Sequence, residues 1–187
     1  MEDVVARINA RRPEYVFVTS KSGAGKTYLS TQLEGYKVLE LDEVVKSVGK
    51  AFGMEQRAAC RVYKNVLSEA ITAAFVERTH AFFEQHRGSE IVVEGAIADA
   101  ELVKRVFSGK YTAFTFVYLH PVDVDAYVTR MMKRFKQDKE NNTRTVAEFM
   151  VKMARWSISK SAQRYHHFEQ NGLDMIRVEL RKSGQSG

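Results

Sequence analysis

Along this chain, short apolar runs alternate with longer stretches whose apolar residues recur every three or four positions. YVFVT (15–19) is a run of β-branched and aromatic residues with the length of a buried strand. YKVLEL (36–41), EIVVEG (90–95), YTAFTFVYL (111–119) and DMIRVEL (174–180) read as four more strands. The first dozen residues, closed by Pro13, read as a helix, as do KTYLSTQL after a glycine-rich loop and DAELVKRVF (99–107). Residues 122–138 and 146–169 add two helices, joined by the polar stretch QDKENNTRT (137–145). Residues 54–86 lack Gly and Pro and place Val62, Val66, Ala70, Ala73 and Val76 at helical spacing. That spacing predicts one long helix, or two abutting ones, ended at Arg87-Gly88. Strands alternating with helices imply a parallel α/β sheet with right-handed crossovers.

Composition narrows the class. With 187 residues, 44% hydrophobic and 28% charged, the chain suits one soluble domain, taken as residues 1–180 with a frayed tail over 181–187. A single cysteine, Cys60, excludes an intramolecular disulfide and a Cys-based zinc cluster, and fits a reducing compartment. The charged start is not a secretory signal and no run approaches about 18 apolar residues, so a soluble intracellular protein is expected. The net charge of +6 is concentrated in one place. Residues 1–129 hold 16 Lys/Arg against 17 Asp/Glu, whereas residues 130–167 hold ten against three. Such a segment faces a polyanion or forms a solvated helical face.

The chemistry starts at Ser20-Lys21-Ser22-Gly23-Ala24-Gly25-Lys26-Thr27. This is the phosphate-loop pattern G-x-x-x-x-G-K-[ST] with serine in the first glycine's place, between an apolar strand and a helix. Gly23 and Gly25 let the backbone amides from Ser22 through Thr27 turn toward phosphate oxygens. Lys26 reaches the β- and γ-phosphates of ATP, the Thr27 hydroxyl holds Mg²⁺, and the helix start adds its dipole. Ser20 needs only to tolerate the turn out of the sheet.

From this loop onward the chain resembles the P-loop kinases of the nucleoside and nucleotide kinase group, which includes adenylate-kinase-like, shikimate-kinase-like and polynucleotide-kinase-like members. The resemblance covers the layout from about residue 15 to 180, and the loop is its specific motif. It implies a five-stranded parallel sheet in the order 2-3-1-4-5, flanked by helices, with a helical lid over about 122–145. It also supports Asp42, directly after the second strand, as the group that orients or deprotonates the acceptor. Asp42 as a helix cap is the alternative, and Glu43 reads as first-turn helix charge.

Glu94 closes the third strand, where it can hold Mg²⁺ through water or bind the acceptor; Asp99 is the better cap for the helix that follows. Arg130 and Arg134 share a helical face in the lid-like segment and are placed to offset charge on the transferred phosphoryl. Lys133 flanks the same face, and Arg144, beyond the polar loop, is a second candidate. Arg57 and Arg61, also at helical spacing, are candidates for an acceptor phosphate, with Tyr63 or Phe52 stacking on a base. Lys152, Arg155, Lys160 and Arg164 interleave with Trp156, Tyr165, His166 and His167, a mixture suited to a nucleic-acid backbone and an extruded base. An ordinary basic surface over a Trp156 core is the other reading, and the two histidines receive no metal role.

The expected function is ATP/Mg²⁺-dependent transfer of the γ-phosphoryl to a hydroxyl of a nucleoside-type or nucleic-acid acceptor. One version resembles the phage enzymes that phosphorylate 5-hydroxymethyluracil in DNA. A free nucleoside or nucleoside monophosphate is the alternative acceptor. A nucleic-acid-stimulated P-loop ATPase, or a binding module, is the alternative of another class.

Overall fold

The computed structural model describes residues 1–21, 23–137 and 158–180, with the side chains of 133–137 outside that description. Five strands, β1 (Tyr15–Thr19), β2 (Lys37–Glu40), β3 (Ile91–Gly95), β4 (Phe114–Pro121) and β5 (Met175–Leu180), form one sheet. All pairings are parallel and the order is β2-β3-β1-β4-β5, as the resemblance implies. The helices are α1 (Glu2–Arg11), α2 (Lys26–Thr31), α3 (Leu41–Ala51), α4 (Gln56–Ala59), α5 (Glu69–Gln85), α6 (Ala100–Val106) and α7 (Val124–Gln137). Residues 158–170 are also helical and are called α8.

The two-residue period of the strands divides the core. Tyr15 and Phe17 of β1 face the same side as Ile91 and Val93 of β3 and Phe116 and Tyr118 of β4. Val45, Phe75, Phe83, Val103 and Phe168, from α3, α5, α6 and α8, cover that face. On the other face Val16, Val18, Val92, Val117 and Leu119 meet Ile8 of α1 and Leu29 of α2. β1 is buried at every position because it is central and covered on both faces. Full burial of each large apolar side chain contributes about 1.5–3 kcal/mol, so the heavier aromatic face carries most of the packing.

Two expectations need correction. The stretch 54–86 is not continuous helix: α4 is followed by a 3-10 turn over Cys60–Lys64, and Asn65 sits in the left-handed region at φ 52. α5 starts only after Ser68, and its buried face is Thr72, Phe75, Thr79 and Phe83. The smaller stripe loses because Phe75 and Phe83 bury more apolar area than Ala70 and Ala73; Val66 stays 54% exposed. The fourth strand begins three residues later than its apolar run. Gly109–Tyr111 forms a 3-10 turn that plugs the Tyr111 ring against Phe83 and Tyr15.

Candidate functional site

The carboxyl ends of the parallel strands lie at one end of the sheet, where β1 runs into the phosphate loop and β3 brings Glu94 to it, the position where open α/β sheets collect ligands. β1 runs to Thr19, the loop follows, and α2 begins at Lys26. Gly23 and Gly25 have φ of +77° and +92°, so both occupy the left-handed backbone region that the loop requires. Ala24 is buried in the core beneath the loop, leaving its backbone as the part that can meet a ligand. Lys26 lies across the loop with Nζ 3.4 Å from the Lys21 carbonyl oxygen. Ser22 lies outside the described residues.

Ser20 has a positive structural part here. It is fully buried, and its hydroxyl donates to the Leu119 carbonyl of β4. The residue standing in the first glycine's place thus ties the exit of β1 to the neighbouring strand.

Glu94 comes up at the end of β3 directly beside α2. One carboxylate oxygen accepts from the Thr27 hydroxyl at 2.9 Å and the other from the Ser30 hydroxyl at 2.6 Å. Only 6% of Glu94 is exposed, while Thr27 stands at the surface. A buried carboxylate converging on the loop's own hydroxyl makes a pair of hard oxygen donors, the chemistry Mg²⁺ selects. Among the described residues no group of three or more His, Cys, Asp or Glu is placed to hold a metal. A magnesium ion here would therefore depend on phosphate oxygens and water, as is usual for that ion. Ser30 lies three residues beyond Thr27, hence on the same helical face. Asp99, not Glu94, caps the next helix, accepting from the Leu102 amide at 3.0 Å.

Asp42 lies in the first turn of α3, one residue further from β2 than the sequence suggests. It does not cap the helix, whose N-cap position is Glu40. It is exposed, and one carboxylate oxygen accepts from the Tyr63 hydroxyl at 2.6 Å. Burial and the adjacent Asp42 hold the Tyr63 phenol far above its ordinary pKa, so it remains a neutral donor. This corrects the stacking role considered for Tyr63, which is buried against Phe75; Phe52 is 43% exposed. Glu43 pairs with Lys46 along the helix. Gly95 lets α3 approach, since a Cβ there would lie 2.6 Å from Leu41 Cδ1 and 2.9 Å from Leu41 Cβ.

The basic residues separate into two sets. Arg57 and Arg61 are exposed and do not share one α-helix, because the 3-10 turn begins between them. Arg130 is exposed on α7, and its neighbour Met131 lies on the loop: a Cβ on Gly23 would meet Met131 Sδ at 2.3 Å. α7 therefore packs against the phosphate loop. Arg134 is on the same helix with its side chain outside the description, and Arg144, Lys152, Arg155 and Trp156 lie outside the described residues. The second set was not singled out by sequence as one group. Lys21 is pushed down to about 8, first by burial and then by Arg164, Lys64 and Lys160. Arg164 donates to the Ala96 carbonyl at 3.3 Å, and burial lowers its pKa.

No protein-family model matches the chain, and no curated protein matches it. Solved structures do. TT1252 from Thermus thermophilus aligns over 91% of this chain and 90% of its own, at 16% identity and a TM-score of 0.54. A sugar kinase from Janibacter sp. HTCC2649 aligns over 90% and 84%, at 13% identity and a TM-score of 0.49. Shikimate kinase from Acinetobacter baumannii, in complex with shikimate, aligns over 96% and 89%, at 14% identity and a TM-score of 0.47. Of these three, the Thermus structure carries the likeness, and it is a likeness of fold. Among the described residues no helix is long and apolar enough to cross a membrane.

Proposed function

We propose that this chain is an ATP/Mg²⁺-dependent phosphotransferase that moves the γ-phosphoryl group to an acceptor hydroxyl. The observation that carries this reading is the Thr27–Glu94 contact. A chance glycine-rich turn has no need of a buried carboxylate from the next strand aimed at its last hydroxyl. Thr27 and Glu94 would hold the metal, which when bound neutralises charge on the β- and γ-phosphates. Lys26 and the loop amides, including those of Ser22 to Thr27, position the triphosphate. The acceptor oxygen forms a bond to the γ-phosphorus as the bond to the β-phosphate oxygen breaks, leaving ADP. The acceptor proton goes to Asp42, whose carboxylate Tyr63 holds from the buried side. Arg130 and Arg134, on the helix packed against the loop, close over the transferred group.

The acceptor we infer is a nucleoside-type hydroxyl, free or within DNA, with the hydroxymethyl group of 5-hydroxymethyluracil as its most specific form. The basic composition of residues 130–167 supports this. The test offers ATP labelled in the γ-phosphate against nucleosides, nucleoside monophosphates, and DNA with ordinary or hydroxymethylated bases. Label should pass to one of these acceptors, and Asp42→Asn should cut transfer by about 10²-fold or more. Lys26→Ala should remove ATP binding and turnover together. Turnover that survives Lys26→Ala would sink the reading, and label released only as phosphate would make the protein an ATPase.

A further inference from the structure

Two neighbouring positions close β3, and the two-residue period of a strand sends them to opposite faces of the sheet. Glu94 turns toward α2, where the Thr27 and Ser30 hydroxyls hold it. Gly95 turns toward α3, and the fully buried Leu41 lies against it. The φ of Gly95 is outside the left-handed region, so any L residue can adopt its backbone. Space is what forbids a side chain there. A Cβ would stand 2.6 Å from Leu41 Cδ1, 3.1 Å from its Cγ and 2.9 Å from its Cβ. The Leu41 Cβ is fixed to the backbone of α3, so a change of rotamer does not clear it. Only a movement of α3 or of β3 would.

β3 is the less free of the two. It is paired on both sides, with β2 and β1, and the fully buried Thr19 of β1 donates its hydroxyl to the Gly95 carbonyl at 2.9 Å, with that of Ile97 at 3.2 Å. The residue that would have to yield is therefore Leu41, and Asp42 follows it directly. Asp42 has a second support on the same segment. The Tyr63 hydroxyl donates to it at 2.6 Å, and the Tyr63 carbonyl accepts from the Ala98 amide at 2.7 Å. Asp42 is thus located at two points, through Leu41 on Gly95 and through Tyr63 on Ala98. Both points stand on residues 94–98, the segment that carries Glu94.

We infer that Gly95 is a positioning residue of the phosphoryl transfer: its missing side chain sets the separation between the Asp42 and Glu94 carboxylates. This rests on the phosphotransferase reading and deepens it, because in-line transfer needs the acceptor oxygen, the phosphorus and the leaving oxygen on one line. A misplacement of about 1 Å costs on the order of 10²-fold in rate. A side chain at position 95 forces a displacement of that order, since 2.6 Å must open to an ordinary contact of at least 3.4 Å. Gly95 touches neither nucleotide nor acceptor in this role; it acts through Leu41.

The test is Gly95→Ala, read by crystallography and by kinetics. Crystal structures of the wild-type protein and the variant should show the Asp42–Glu94 separation wider by roughly 0.5–1 Å. Transfer of labelled γ-phosphoryl to the acceptor that the wild-type protein labels should fall about tenfold to 10²-fold in kcat. KM for ATP and the Mg²⁺ requirement should not move, which a merely structural glycine does not predict. Leu41→Val removes the Cδ1 nearest to position 95; by itself it should narrow the separation and lower kcat. Combined with Gly95→Ala it should recover most of both, a coupling that independent sites do not show. Unchanged separation or unchanged kcat in Gly95→Ala overturns the inference, as does a loss of kcat accompanied by a rise in KM for ATP. Should Gly95→Ala fail to fold, Leu41→Val tests the same contact from α3, and wild-type kcat in that variant overturns the inference. A wild-type protein that labels no acceptor would overturn the phosphotransferase reading instead. The crystal structures would still decide whether Gly95 sets the separation.

Discussion

Glu94 lies at the end of β3 and Asp42 follows the neighbouring β2 in the first turn of α3, yet their surroundings differ. Glu94 is buried, and both of its oxygens are engaged by hydroxyls of α2. Asp42 is exposed and, among the described residues, has a single hydroxyl, that of Tyr63, on one oxygen. A carboxylate with both oxygens held is a fixed charge, suited to orienting a cation and poorly placed to receive a substrate proton. A carboxylate with one oxygen held and the other open is positioned and still available. On the proposed reading, the difference separates a metal-facing half of the site from an acceptor-facing half.

The strongest way to break that division is Glu94→Gln. The amide can still exchange hydrogen bonds with Thr27 and Ser30, so the fold should hold while the charge is lost. We expect turnover to fall on the order of 10²-fold, with a rise in the Mg²⁺ concentration needed for half-maximal rate. Asp42→Asn should lower turnover without moving the Mg²⁺ requirement. If magnesium titrations show the opposite pattern, the two roles are exchanged.

How much of this was legible along the chain depends on distance. The loop, the five strands, Glu94 at a strand end and the Asp99 cap are local features, carried by periodicity and by residues a few positions apart. The sheet order was implied by resemblance, because nothing in a strand's own residues says which neighbour it pairs with. Tyr63 was misread because its hydroxyl finds Asp42 only after α4 ends and the chain turns through Cys60–Lys64, a break that alternating Ala and Val did not signal. Lys21, Lys64 and Arg164 come from three distant segments, and the fold alone brings Lys64 and Arg164 near enough to influence Lys21. Ser30 was readable in principle, since it follows Thr27 at helical spacing.

Tyr63→Phe sharpens the acceptor half. The ring stays packed against Phe75 and only the donor to Asp42 disappears. Stability should drop by about 1 kcal/mol, as for the loss of one hydrogen bond. Turnover should fall several-fold, to about tenfold, with KM for ATP unchanged. A purely structural tyrosine would lose stability with no selective change in kcat. That outcome would mean that Asp42 is held by its helix alone.

The smallest effect concerns Ser20 and tests whether the loop's departure from the usual pattern matters to nucleotide binding. Its hydroxyl is buried and donates to Leu119, so Ser20→Ala removes one hydrogen bond between β1 and β4. That should cost about 1 kcal/mol and lower Tm by roughly 2–4 °C for a chain of this size. Ser20→Gly restores the usual glycine, but adds backbone freedom to the unfolded chain and should cost about 0.5–1 kcal/mol more. ATP affinity should be equal in all three proteins, because the groups proposed to meet phosphate begin later in the loop. Calorimetric titration of the nucleotide checks this. A glycine variant that binds ATP more tightly would show that the serine constrains the loop, and the tie to β4 would then be a cost to nucleotide binding.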